Sequence, residues 1–172
     1  MKLNSLRRIR LWFRRDDGGA LAELAIIVPF LAVMLAGVSE FGRYFQNYTT
    51  LAKATRNASR YLSNHHLDAT EQGRAIELVY CGKLACAGGD PPLVPGLTRG
   101  NVCLESSGSP KVLNVTVKIP YAAADCTPMA GTAAATPLTY TPIFDIGAIL
   151  GTPSFSMAVP IAPSTTMYYM VE

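Results

Sequence analysis

Arg14-Arg15-Asp16-Asp17-Gly18-Gly19-Ala20-Leu21-Ala22-Glu23 runs into an uncharged stretch from Leu24 to Ser39. From Gly19 to Ser39 there are 21 residues, and Glu23 is the single charge among them. At about 1.5 Å per residue, a helix of that length reaches roughly 30 Å, the thickness of a bilayer's hydrocarbon core. Ahead of it stand Lys2, Arg7, Arg8, Arg10, Arg14 and Arg15. Basic residues beside an apolar segment stay on the cytoplasmic side of a membrane. Two other readings of the apolar run stay open, a cleaved secretory signal and a buried core helix. A signal needs a pair of small residues at the cleavage site. Near the end of the run, Leu35-Ala36-Gly37 and Ala36-Gly37-Val38 each supply only one of the two. A core helix leaves the six basic residues unexplained.

The charge is divided along the chain. Residues 1–60 hold ten Lys/Arg and four Asp/Glu, net +6; residues 61–172 hold five and eight, net −3. The pI near 8.7 therefore describes a basic tail joined to a mildly acidic body. That division argues against nucleic acid as a partner and favours a membrane surface. The mean hydropathy is +0.22 with 16% charged residues, which is apolar for a soluble chain. The four cysteines, Cys81, Cys86, Cys103 and Cys126, all lie in the acidic body. An even number in an exported body implies disulfides. Three complete pairings are possible. The short Cys81-Gly82-Lys83-Leu84-Ala85-Cys86 turn favours Cys81–Cys86, leaving Cys103–Cys126. No Cys-x-x-Cys occurs and the two histidines, His65 and His66, are adjacent, so no metal site is expected.

An ionised carboxylate in lipid costs on the order of 3 kcal/mol or more. Glu23 must therefore sit near an interface, be protonated, or meet a cation. Near a helix N-terminus it also gains from the helix dipole. Pro29 interrupts the hydrogen-bond ladder at Ala25 and predicts a kink.

Gly18, then Gly19-Ala20-Leu21-Ala22, then Glu23 resembles a class III prepilin signal. Together with Leu24-Ala25-Ile26-Ile27-Val28-Pro29 and Glu40-Phe41-Gly42-Arg43, residues 14–62 resemble the TadE-like minor pilins (pseudopilins) of the tight-adherence type IV pilus. The resemblance implies cleavage between Gly18 and Gly19 by a membrane prepilin peptidase, with Glu23 left fifth in the mature chain. It also implies that the Glu23 carboxylate pairs with the new terminal ammonium of a neighbouring subunit. The implied partners are the prepilin peptidase, other pilin subunits, the pilus assembly platform and the membrane. The implied location is the inner membrane as a single pass with an extracytoplasmic C-terminal domain, then the pilus or cell surface. Assembly and adhesion are the implied roles.

Residues 39–62 keep a helical period. Phe41, Tyr44, Phe45, Tyr48, Leu51, Thr55, Ala58 and Leu62 recur three or four apart, which predicts an amphipathic continuation with this stripe in the core and Tyr44 and Tyr48 at an aromatic belt. One helix of about forty residues is expected, from near Gly19 to near Asn64. The alternative is two helices broken at Gly37 or Gly42. A helical turn at Thr70-Glu71-Gln72 is expected to give way to a strand at Ile76–Tyr80. Further strands are expected at 101–105, over Lys111–Tyr121 where alternation is clearest, at Ser154–Ala162 and at Thr166–Val171. Ser106–Pro110 reads as a turn, and Thr141–Gly151 as a short helix. The expected class is α+β, with a long N-terminal helix packed on a small, mainly antiparallel sheet, as in pilins. Its parts are a basic cytoplasmic leader (1–18, cleaved), a membrane or filament-core helix (19–39), an amphipathic continuation (40–64) and an extracytoplasmic β-rich domain (65–172).

No phosphate loop, Gly-x-Ser-x-Gly elbow, His-Glu-x-x-His or dinucleotide fingerprint occurs. No catalytic residue and no cofactor is expected. Beside the minor-pilin reading stand two others: a single-span anchored envelope protein with a small β-rich binding domain, not processed at Gly18, and a secreted domain cleaved near residue 38.

Overall fold

The computed structural model describes residues 17–109, 112–132, 134–145, 147, 151, 156 and 158–170. The basic leader through residue 16, residues 146 and 148–150 of the helix expected over 141–151, and residues 154, 155 and 157 of the strand expected over 154–162 lie outside them; residues 141–145 are described and are not helical, against the expectation. The chain divides into two compact units, Met1–Ser39 and Glu40–Glu172. The architecture is α+β. A helix, α1 (Asp17–Ser63, 47 residues), contains Pro29 without an interruption of its helical assignment. Neither Gly37 nor Gly42 ends it, so the two-helix alternative does not hold.

Within the second unit, residues from Glu40 onward form one wall of the core. Leu51, Ala54, Ala58 and Leu62 are buried there with Leu104, Val115 and Val117 of the sheet. The sheet is antiparallel in the order β1 (Cys103–Ser109), β2 (Val112–Lys118), β3 (Ser164–Tyr168). Leu104 faces Val117 and Val115 faces Met167 across the register. Small side chains on the helix let β3 approach closely. The Ser59 hydroxyl donates to the Thr165 carbonyl at 2.9 Å, and the hydroxyls of Thr55 and Thr165 meet at 3.3 Å. The Met170 N–H then donates to the Ser63 carbonyl at 2.8 Å.

Three expectations are corrected. Ile76–Tyr80 is not a strand but the last part of α2 (Ala69–Cys81). Asp68 caps it, accepting from the Glu71 N–H at 2.8 Å, and Gly82 closes it at φ 79°, donating to the Leu78 carbonyl at 3.1 Å. These two caps, with Gln72, Ala75 and Val79 buried on one face, override the β propensity of Ile, Val and Tyr. The second strand begins at Cys103 and continues through Ser106–Ser109, where a turn was expected. Finally, the sequence stripe is only partly core. Phe41, Phe45 and Tyr48 are exposed, while Glu40, Leu51, Thr55 and Leu62 are fully buried. The inward face runs through Glu40, Tyr44, Leu51, Ala54 and Ala58, which turns positions 41, 45 and 48 outward. Of the expected strand at 154–162, the described part contributes one isolated bridge, Pro160 to Thr139.

Cys81–Cys86 closes the loop after α2, and Cys103–Cys126 ties the start of β1 to the segment after the Ala123–Asp125 turn. They enclose 5- and 23-residue separations. The chain-entropy account then assigns about 3 kcal/mol to the longer loop and about 2 kcal/mol to the shorter. Replacing Cys103 and Cys126 by Ala is expected to lower the urea midpoint of the detergent-solubilised full chain more than replacing Cys81 and Cys86. The reverse order would show that the loop lengths do not govern the contribution.

Candidate functional site

The first unit presents an apolar surface that its own chain does not cover. Leu21, Ile26, Phe30, Leu35 and Val38 are all exposed, and none of the most apolar 18-residue window is buried. By length and composition α1 can cross a membrane. Within this surface Glu23 is exposed and, among the described residues, takes part in no ion pair or hydrogen bond. The approach to the expected processing site is helical rather than extended, because Gly18 and Gly19 fall in the first turn of α1. Glycine weakens a helix by roughly 1 kcal/mol relative to alanine, so this turn opens more readily than those that follow. Gly19 and Glu23 stand four apart and so share one face of the helix.

Seventeen residues on, a second carboxylate has the opposite surroundings. Glu40 is the first residue of the second unit and is fully buried. Its Oε2 accepts from the Tyr140 hydroxyl at 2.6 Å. Its Oε1 accepts from the backbone N–H groups of Ile143 and Phe144, each at 2.9 Å, and from an Arg43 guanidinium nitrogen at 2.7 Å. The Tyr140 ring meets Tyr44 edge-on at 5.6 Å, and the Tyr44 hydroxyl lies 3.5 Å from the Pro160 carbonyl. Burial pushes the Glu40 carboxyl upward. The Tyr140 hydroxyl, the Phe144 and Ile143 N–H groups and Arg43 outweigh it and hold the carboxyl below its usual value of 4.5. Burial and the Glu40 charge together push the Tyr140 hydroxyl up. One side chain thus fastens the 140–144 loop to the helix. In the sequence alone Glu40 has no evident role. The available signal was an acid directly after an uncharged run, with arginine three residues on.

Elsewhere polar groups build the body. Glu105 accepts from Lys118 at 2.8 Å and from the Thr127 N–H at 2.7 Å, beside the Cys103–Cys126 bridge. Asn101, buried, accepts from the Thr98 N–H at 2.7 Å and donates to the Thr136 carbonyl at 3.0 Å. Arg99 pairs with both oxygens of Glu77 and stacks over Tyr80 at 4.2 Å. The four cysteines stand close to Glu77 and Glu105. All four are oxidised in pairs, so none offers a thiolate to a metal.

A comparison with protein families finds one match. Residues 18–60 match the model of the TadE-like protein family. The TadE-like segment starts at Gly18, takes in Glu23, Pro29 and Glu40, and ends within the small-residue face of α1. It covers about a quarter of the chain. No curated protein and no solved structure matches the chain.

Glu40 supplies a pH test. Because its folded carboxyl titrates below 4.5, its stabilisation is complete above that value and is lost as pH falls toward the folded pKa. Glu40→Gln is expected to be less stable than the parent by about 2 kcal/mol at neutral pH. The gap should narrow as pH drops below 4.5, read by paired urea titrations. A gap that stays constant down to pH 3 would remove the carboxylate's charge from the account.

Proposed function

We propose that this chain is a minor pilin (pseudopilin) of a tight-adherence pilus. Its basic tail stays in the cytoplasm, its apolar helix crosses the inner membrane, and its disulfide-bonded body lies outside. A prepilin peptidase cuts between Gly18 and Gly19, and the mature subunit enters the pilus machinery and contributes to adhesion at the cell surface. On this reading the chain is a substrate of an enzyme and not an enzyme.

One observation carries the proposal: the TadE-like match begins at Gly18, five residues before a lone acid on an uncovered apolar helix. Two further points support it. Six basic residues precede the helix, as the positive-inside rule requires. Two disulfides in the body fit an oxidising compartment. Cleavage removes the basic tail and creates an ammonium on Gly19. In a dry helix bundle that ammonium and a Glu23 carboxylate from another copy relieve each other's desolvation, and a shifted register leaves both unpaired.

Intact mass of the protein from its host, with pilus processing active, is expected to give a chain starting at Gly19. A chain retaining Met1 would refute the processing step and favour a single-span anchored envelope protein with a small binding domain. Glu23→Leu is expected to insert in the membrane as the parent does. Its incorporation into the assembly should fall about tenfold or more, because the neighbour's ammonium loses its partner. Undiminished incorporation, scored by immunoblot of sheared pilus fractions, would count against the pairing.

A further inference from the structure

The outward turn of Phe41 and Phe45 leaves a second apolar surface, on the body itself. Phe41, Tyr121 and Val159 line a groove of about 510 Å³ together with Tyr44, Tyr140 and Pro160. Tyr140 also borders the adjoining hollow, which is lined by Arg43, Gln46 and Ile143. Glu40 fixes Ile143 and Phe144 beside these residues through their N–H groups. Phe41, Phe45, Tyr121, Ile143, Phe144 and Val159 are each between 41 and 69% exposed. Isolated apolar residues on a surface need no explanation, but a contiguous aromatic set marks a contact.

We propose that this collar docks into the headgroup–acyl boundary of the phospholipid bilayer that α1 spans. Three facts select lipid as the occupant. The collar is continuous with the span: Phe41 is two residues past Ser39, the last residue of the uncharged run, and at 1.5 Å per residue it cannot leave the interface. Its composition, aromatic rings with an arginine among them, is what membrane interfaces collect. Glu40 and Asp145, the acids next to Phe41 and Phe144 in the chain, are engaged within the fold. Glu40 is consumed by its four hydrogen bonds, and Asp145 accepts from the Ser156 hydroxyl at 2.8 Å and the Gly147 N–H at 3.0 Å. The Glu40 clamp is then a positioning device that keeps Ile143 and Phe144 on the lipid side. This rests on the membrane-spanning part of the function proposed above and not on the processing step.

Trp12 is the single tryptophan, so a Trp12→Phe background gives a silent full-length chain. Phe144→Trp, Phe41→Trp, Phe30→Trp and Leu84→Trp are each added to it and reconstituted into phosphatidylcholine–phosphatidylglycerol vesicles with or without lipid brominated near the headgroup end of its acyl chains (for positions 144, 41 and 84) or near their methyl end (for position 30, at mid-bilayer). Loss of fluorescence to the brominated lipid is expected at positions 144, 41 and 30, and none at 84. Quenching at 30 and 41 with none at 144 would overturn the docking and leave the span intact. No quenching at 30 would overturn both. Emission at 144 that is unquenched but shifts to the blue as protein per vesicle rises would mean that a second copy covers the collar, and would also overturn the proposal. A folding defect in Phe144→Trp leaves Tyr121→Trp, exposed in the same groove and outside the Glu40 hydrogen bonds, to decide by the same quenching.

Discussion

An apolar helix that no described residue buries has to be covered by something else, and that requirement governs how the two glutamates of α1 are read. Among the described residues of the first unit, the large side chains all face outward. Lipid satisfies such a surface, and so does a bundle of identical helices. The two environments differ in what they do to Glu23. At a membrane interface the carboxylate keeps water. Inside a bundle it loses water and must find a cation in exchange. A chain that moves between the two therefore benefits from an acid close to the end of the apolar segment, where one environment tolerates it and the other supplies a terminal amine.

The same helix carries a second acid under the opposite regime, and the pair shows how environment assigns role. Glu40 has its cation, its hydroxyl donor and its two N–H donors within its own fold. It is desolvated yet fully partnered, so it specifies a structure: it holds the 140–144 loop against the first turn of the body. Among the described residues Glu23 has no such partners. Both are single glutamates, and the local difference between them is slight: Ser39 before Glu40 and Arg43 three residues after it. What separates them is the distant segment around Tyr140, which reaches one and not the other.

That distance marks the limit of what the sequence discloses. The apolar run, the continuous helix to residue 63 and the β2 strand follow from short-range periodicity, and periodicity is visible without a structure. The strand-like reading of Ile76–Tyr80 failed because β-branched and aromatic residues outvoted two single-residue signals, Asp68 and Gly82, that fix a helix at both ends. The stripe from Phe41 to Tyr48 was read as core because a three-four spacing says that residues share a face and does not say which way the face points. Orientation came instead from Glu40, three of whose four partners lie 100 or more residues away. The Cys81–Cys86 turn was legible because five residues of separation leave little choice, whereas Cys103–Cys126 followed only by elimination.

The small residues of α1 explain why one helix can serve both units. Ala54, Thr55, Ala58 and Ser59 give β3 a shallow bed, and the hydroxyls of Thr55 and Ser59 meet the backbone and side chain of Thr165. Larger side chains there would hold the sheet away and leave those polar groups buried without partners. A helix designed only to span lipid has no need of this face, and one designed only to pack on a sheet has no need of sixteen uncharged residues before it. The TadE-like match runs from Gly18 into this bed and stops at residue 60. It therefore takes in the lone acid, the apolar run, the clamping acid and the contact face. Those four features link the apolar run to the folded body, and their polar contacts with the rest of the chain include Thr165, Tyr140 and the 143–144 backbone.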